Sequence, residues 1–205
     1  MKKIIFCNIP MKEKIEKNRY QSEDLSLETS ERAVAYPINA FLEKTLIADD
    51  DLKIILLVKK DKFGHYKKNA EVFKAEFFEA NKEIGAKYEF KIIDTDFSEE
   101  RAIHEQLMSK IVDELDDGSH ILADITYGPK DLPIVLFSAL NFAEKFLGCD
   151  IDNIIYGQAD FVDGKPVNTQ ICDMVPLFYL NTVTNTIHCD TPDKARKTLK
   201  SLLSL

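Results

Sequence analysis

The chain has no tryptophan and few glycines, prolines, cysteines and histidines: seven, seven, four and four in 205 residues. So little glycine and proline argues against a collagen-like, linker-rich or disordered chain. The four cysteines, Cys7, Cys149, Cys172 and Cys189, form no C-x-x-C pair, and no histidine spacing completes a zinc site. Reduced thiols in a cytoplasmic protein are the expected reading. No run reaches the roughly 18 apolar residues of a transmembrane helix, so no membrane is expected as a partner. The apolar start Ile4-Ile5-Phe6-Cys7 stops short of the ~7–15 residues of a signal-peptide core. Basic residues are outnumbered, 27 Lys and Arg against 35 Asp and Glu, for a formal net charge of −8. That argues against a coat protein for long nucleic acid, which needs cations to neutralise phosphates. Three motifs are also missing: G-x-G-x-x-G, the Walker pattern and G-x-S-x-G. An NAD enzyme, a P-loop NTPase and an α/β-hydrolase are therefore set aside.

What is present is an alternation of apolar runs and helical periods. Lys3–Asn8, Leu52–Lys59, Tyr88–Asp94, His120–Ile125 and Asn153–Gly157 read as strands. Continuous apolar runs of this kind suit parallel strands covered on both faces. Ser98–Leu115 predicts a helix with Ser98 as N-cap and an apolar stripe at Ile103, Leu107, Ile111 and Leu115. Phe73, Phe77, Phe78 and Ile84 mark another helix, and Leu132–Leu147 a third, apolar on most sides and so expected to be buried. Val34–Leu46 is helical by period, and Pro37 either starts or kinks it. Asp163-Gly164 predicts a hairpin, so the fifth strand runs on to Phe161 and returns through Val167–Asp173. Thr191-Pro192 opens a last helix, ending in the apolar edge Ser201–Leu205. The predicted fold class is α/β: a Rossmann-like, doubly wound, mainly parallel sheet with a C-terminal antiparallel hairpin edge and a terminal helix. Residues 1–180 form the domain and 181–205 an extension.

Ligands of such sheets bind outside the carboxyl ends of the strands. Three loops are expected there. The first runs from Asn8 through Pro10 and Lys12 to Tyr20, with Lys14, Lys17 and Arg19 on the way. The second, residues 59–68, holds five lysines against one aspartate, a balance of +4. The third is Thr126-Tyr127-Gly128-Pro129-Lys130-Asp131, leading into a helix whose free N–H groups face the same spot. Residues 94–117 run the other way, with nine acids against Arg101 and Lys110. An acidic protein thus aims a basic rim at its ligand edge, which suits a phosphate-rich anion.

The segment Asp124-Ile125-Thr126-Tyr127-Gly128-Pro129-Lys130-Asp131-Leu132-Pro133 resembles the D-[IV]-T-[HG]-G-x-[KR]-x-[LM]-P stretch of CARF domains, the Rossmann-fold sensors of type III CRISPR systems. Tyr127 replaces the family's His or Gly. Ile154–Gly157 is similar to the strand-five "YG" signature, and Ile171–Leu177 to the "I-V-D-L-T-P" edge strand. The resemblance implies a homodimer binding a cyclic oligoadenylate of four or six AMP units across its two-fold axis, the tetramer favoured, in antiviral defence. On that basis Thr126, Gly128 and Lys130 contact phosphate and ribose, followed by Asn8, Pro10 and Lys12. Lys59 and Lys62 hold the ligand's outer edge, Tyr20 and Tyr127 stack on adenine, and Gln158 reads an adenine edge.

The R-x(4–6)-H ribonuclease pattern is missing, and no nuclease or deaminase signature follows residue 180. Two readings follow from the resemblance: a sensor, alone or joined to an effector, and a ring nuclease that cleaves the messenger in the same pocket. Ring cleavage in the family needs no metal or other cofactor. A ribose 2′-OH attacks the neighbouring phosphate and leaves a 2′,3′-cyclic phosphate. Lys130 would stabilise the phosphoryl charge, and Thr126 or Asn8 would orient the 2′-OH. His65 is the one histidine expected near the rim. The alternative enzyme is a Mg-dependent phosphoryl-transfer or hydrolytic protein on a flavodoxin-like sheet, using Asp94, Asp96 and Asp124.

Overall fold

The computed structural model describes residues 1–22 and 27–204. Among the described residues, the chain order is β1 (Lys2–Asn8), α1 (Pro37–Thr45), β2 (Asp51–Lys60), α2 (His65–Asn81), β3 (Lys87–Asp96), α3 (Arg101–Val112), β4 (His120–Asp124), α4 (Asp131–Leu147), β5 (Asp150–Val162), β6 (Lys165–Asp173), α5 (Val175–Thr186) and α6 (Pro192–Leu202). The strands form one sheet in the order β3-β2-β1-β4-β5-β6. The first five are mutually parallel, and β6 pairs antiparallel with β5. This is the doubly wound Rossmann-like arrangement, and its strand order reverses between β1 and β4.

Two cores flank the sheet, because alternate strand residues point to opposite faces. Ile5, Cys7, Ile54, Leu56 and Val58 meet Phe41 and Leu42 of α1 and Phe73 and Phe77 of α2. Ile4, Phe6, Ile55 and Leu57 meet Leu107 and Ile111 of α3, Leu132 and Leu136 of α4, and Phe178 of α5. Pro37 starts α1 rather than kinking it. No helix is long and apolar enough to cross a membrane among the described residues.

Several local expectations shift. The chain stays on the sheet edge beyond β3, where Phe97 N donates to Lys60 O at 3.1 Å, so α3 starts late, with Glu100 as its cap. Ser98 Oγ instead accepts from Glu100 N at 3.3 Å. α4 is not buried all round: Ile134 and Phe146 are exposed, as is Phe78 of α2. The edge strand ends at Asp173, as expected. Asp173 Oδ1 accepts from both Ile154 N and Val175 N at 3.0 Å, and α5 opens directly afterwards with Pro176 in its first turn. α5 crosses residue 180, and Phe178 lies in the core, so the first half of this helix belongs to the domain. α6 buries none of its residues. Its expected Thr191 cap is present, accepting from Lys194 N at 3.3 Å, while Leu205 of its apolar end lies outside the described residues.

Gly157 explains itself by close approach. A Cβ there would collide with Pro37 Cγ at the start of α1 and stand 3.2 Å from Thr126 Cγ2. Gly157→Ala is expected to lower stability by about 1–3 kcal/mol through overpacking. The measure is a reduced urea midpoint at unchanged slope; an unchanged midpoint would show that α1 and β5 do not meet this tightly.

Candidate functional site

A cleft of about 410 Å³ opens at the carboxyl edge of the sheet. Its walls come from the β1–α1 segment (Lys12, Lys14, Ile15, Glu16, Asn18, Tyr20), the β4–α4 loop (Thr126, Tyr127) and the β5–β6 hairpin (Tyr156–Ala159, Phe161, Gly164, Pro166). This is the crevice that the reversal of strand order opens between β1 and β4.

The β4–α4 loop is pinned from below. Asp124 is fully buried, and its Oδ1 accepts from Thr126 N at 2.8 Å. Its Oδ2 accepts from Ile38 N at 3.2 Å, which satisfies a free amide in the first turn of α1. The Thr126 hydroxyl bonds to the same carboxylate and accepts from Gly157 N at 2.8 Å. Burial nevertheless pushes the Asp124 carboxyl up to about 6, against the lowering effect of those bonds. Gly128 takes φ +90°, and a Cβ there would stand 2.7 Å from Leu132 Cδ1. Only glycine fits that turn without strain.

The long β1–α1 segment is held by α2. Glu76, buried in α2, accepts from Ala35 N at 2.9 Å through Oε1 and from Tyr36 N at 3.2 Å through Oε2, and Lys17 lies 3.3 Å from Oε1. Asn69 donates its side-chain amide to Pro10 O and Lys12 O, both at 2.8 Å. Tyr127 donates its hydroxyl to Ala35 O at 2.8 Å, and its ring meets Tyr36 edge-on at 5.6 Å. Tyr20 and Tyr127 hydroxyls bond to each other, and burial raises both phenols above their ordinary range.

Of the residues expected to bind ligand, Lys12, Tyr20, Thr126, Tyr127 and Gln158 line the cleft. Tyr20 and Tyr127 form its floor, with their hydroxyls engaged, rather than standing free as stacking faces. The Thr126 hydroxyl is likewise spent on joining β4 to β5. Asn8, Pro10, Lys59, Lys62, Gly128 and Lys130 do not line it. Asn8 and Pro10 are buried, and the Asn8 amide has no hydrogen-bond partner among the described residues. Lys130 is exposed at the cap of α4, beside the cleft. Lys59 does not lie on the rim: it is fully buried, with Nζ 2.6 Å from Asp131 Oδ2. Lys60 is paired with Asp94 at 3.3 Å, and Lys62 lies over the Phe63 ring. Two of the five lysines of residues 59–68 are thus answered by acids elsewhere. His65 stacks on Phe63 at the start of α2 and is not in the cleft. Nor do Asp94, Asp96 and Asp124 gather into a Mg²⁺ site, because β2 and β1 separate β3 from β4. Three strand spacings, about 14 Å, are too wide for shared coordination.

Tyr156 and Phe161 were not legible as site residues, yet both are exposed and line the cleft. They sit where β5 runs on past the end of β4, paired only with β6. The cleft therefore combines two lysines (Lys12, Lys14) against one acid (Glu16), amide donors (Asn18, Gln158) and exposed aromatic faces. That set suits a ligand carrying both phosphate and a planar base. No protein-family model matches the chain, and no curated protein matches it.

The raised Asp124 carboxyl has a testable consequence. Its folded pKa lies above the unfolded value, so the folded state takes up the proton first as pH falls from about 6. That group's contribution therefore rises between about pH 6 and pH 4, by an amount on the order of 3 kcal/mol. Asp124→Asn should remove this part of the pH dependence, seen by comparing urea-unfolding free energies of the two proteins across that range. Parallel curves would mean that Asp124 titrates normally.

Proposed function

We propose that this chain binds a cyclic oligoadenylate, with cyclic tetra-adenylate favoured, across a homodimer, as a sensor in type III CRISPR antiviral signalling. One observation carries the reading: Thr126 and Tyr127 of the D-I-T-Y-G-P-K-D-L-P segment that resembles CARF domains line the same cleft as Lys12, Lys14, Gln158 and Tyr156. Those lysines supply the charge for phosphates. Tyr156 and Phe161 offer stacking faces for adenine, and Gln158 offers a donor and an acceptor for its edge. A cyclic, symmetric ligand is matched by two copies of one cleft, so each residue set serves twice. Lys130, exposed at the cap of α4, is free to meet a second phosphate in this reading. Cleavage of the ring in the same pocket is the second activity of this reading. It would proceed by 2′-OH attack on phosphorus, with expulsion of the 5′-oxygen and a 2′,3′-cyclic phosphate as product.

The test is calorimetry of the full chain with cyclic tetra- and hexa-adenylate, with product analysis by chromatography. Binding at two protomers per ring is expected. Lys12→Ala and Lys14→Ala together are expected to weaken it by tenfold or more, roughly the loss of one charge-assisted contact. Heat from neither ring sinks the proposal. Binding without a 2′,3′-cyclic phosphate product retains the sensor and removes the nuclease.

A further inference from the structure

On the sheet face opposite the α1–α2 core, a second group of polar side chains gathers between the N-terminal ends of α3 and α4. His104 Nε2 lies 3.3 Å from Glu99 Oε2 and 3.5 Å from Asp131 Oδ2. Glu99 precedes α3, His104 is in its first turn, and Asp131 is the first residue of α4. None of the three lines the cleft. A tetrahedral ion with bonds of about 2.0–2.2 Å to nitrogen and oxygen sets neighbouring ligand atoms about 3.3–3.6 Å apart. Both observed spacings are of that size. All three candidate ligand atoms fall within 4.8 Å of one another, the one such group among the described residues.

The His104–Glu99 contact is also a hydrogen bond, and it is a second observation, at Asp131, that points to a bound cation. Asp131 is 7 % exposed, and neither of its carboxylate oxygens receives a hydrogen bond among the described residues. Lys59 Nζ stands 2.6 Å from Oδ2, a close ion pair whose angles lie outside hydrogen-bond geometry. The Thr95 hydroxyl, in register with Lys59 on β3, is also buried without a partner. Oδ2 is answered by the Lys59 ammonium, but Oδ1 is a buried acceptor without a donor, a free-energy penalty that an ion held by this carboxylate would relieve.

We propose that Glu99, His104 and Asp131 form a site for a divalent transition-metal ion, with zinc the best match. Imidazole with two carboxylates favours zinc or manganese over magnesium, which prefers an all-oxygen octahedron. Three protein ligands leave one coordination position open to water. The Lys59 ammonium on the same carboxylate repels the ion, so the site exchanges metal more readily than a closed structural zinc site. A bound ion would clamp α3 to α4 and fix the end of the loop whose other end, Thr126 and Tyr127, walls the cleft. The site is independent of the identity of the cleft's ligand.

Chelator-treated full-length protein is titrated with Zn²⁺, Mn²⁺ and Mg²⁺ by calorimetry and with Co²⁺ by visible absorption. One zinc per chain is expected, with intense cobalt bands of a tetrahedral site and far weaker magnesium binding. Glu99→Gln and His104→Gln replace partly exposed side chains and leave Lys59 paired, so they preserve the fold. Each is expected to weaken zinc by more than the roughly 10–100-fold that loss of an outer-shell partner costs. No zinc binding, or zinc binding unchanged in both variants, overturns the site.

Discussion

Asp124 stands where three parts of the molecule meet. Its carboxylate, at the end of the central strand β4, holds the first turn of α1 through Ile38 N and the β4–α4 loop through Thr126 N. Thr126 passes the constraint on to β5 through Gly157 N. A charge in that position is expensive to bury, and its donors offset the cost only in part, as the raised carboxyl shows. The arrangement persists because each partner is itself fixed by packing: Pro37 against Gly157, and Leu132 against Gly128. The cleft is shaped by what lies beneath it, so its loop needs no strand of its own.

The outer wall is held from behind by a different element. Asn69 and Glu76 of α2 reach the two ends of the long β1–α1 segment, near Lys12 and at Ala35 and Tyr36. Both are buried and engage main-chain groups. They fix backbone that has almost no regular structure, and thereby the positions from which Lys12 and Lys14 project. The cleft's outer wall is thus held by residues that do not line it.

The sheet was legible because buried parallel strands need apolar side chains on both faces, as Ile54–Val58 supplies. The β–α rule then located Lys12, Tyr20, Thr126, Tyr127 and Gln158 at one edge. Other positions depend on partners distant in the chain, which a linear pattern does not carry. Lys59 reads as a rim lysine, but Asp131 across the sheet draws it inside. Tyr20 and Tyr127 read as free rings, but each hydroxyl finds a buried partner. The edge strand was legible to its end at Asp173, but α5 was not: the Asp173 carboxylate accepts from Val175 N and turns the chain into that helix. Tyr156 and Phe161 join the cleft only because β6 carries β5 beyond β4.

That overhang leaves β6 as the outermost strand, with its free side turned away from β5. An open strand edge is a template on which other chains can add. Here the chain guards its own edge: Gln21 N donates to Thr169 O, and Ile171 N donates to Gln21 O at 2.7 Å. The Thr169 hydroxyl adds a bond to Arg19 O at 2.6 Å. Farther out, the β5–β6 pairing shifts register between Gln158 and Asp160, an irregularity that interrupts a flat edge. The segment that walls the cleft therefore also serves as a brace against edge-to-edge polymerisation, which ties the protection of the sheet edge to the order of the cleft's outer wall.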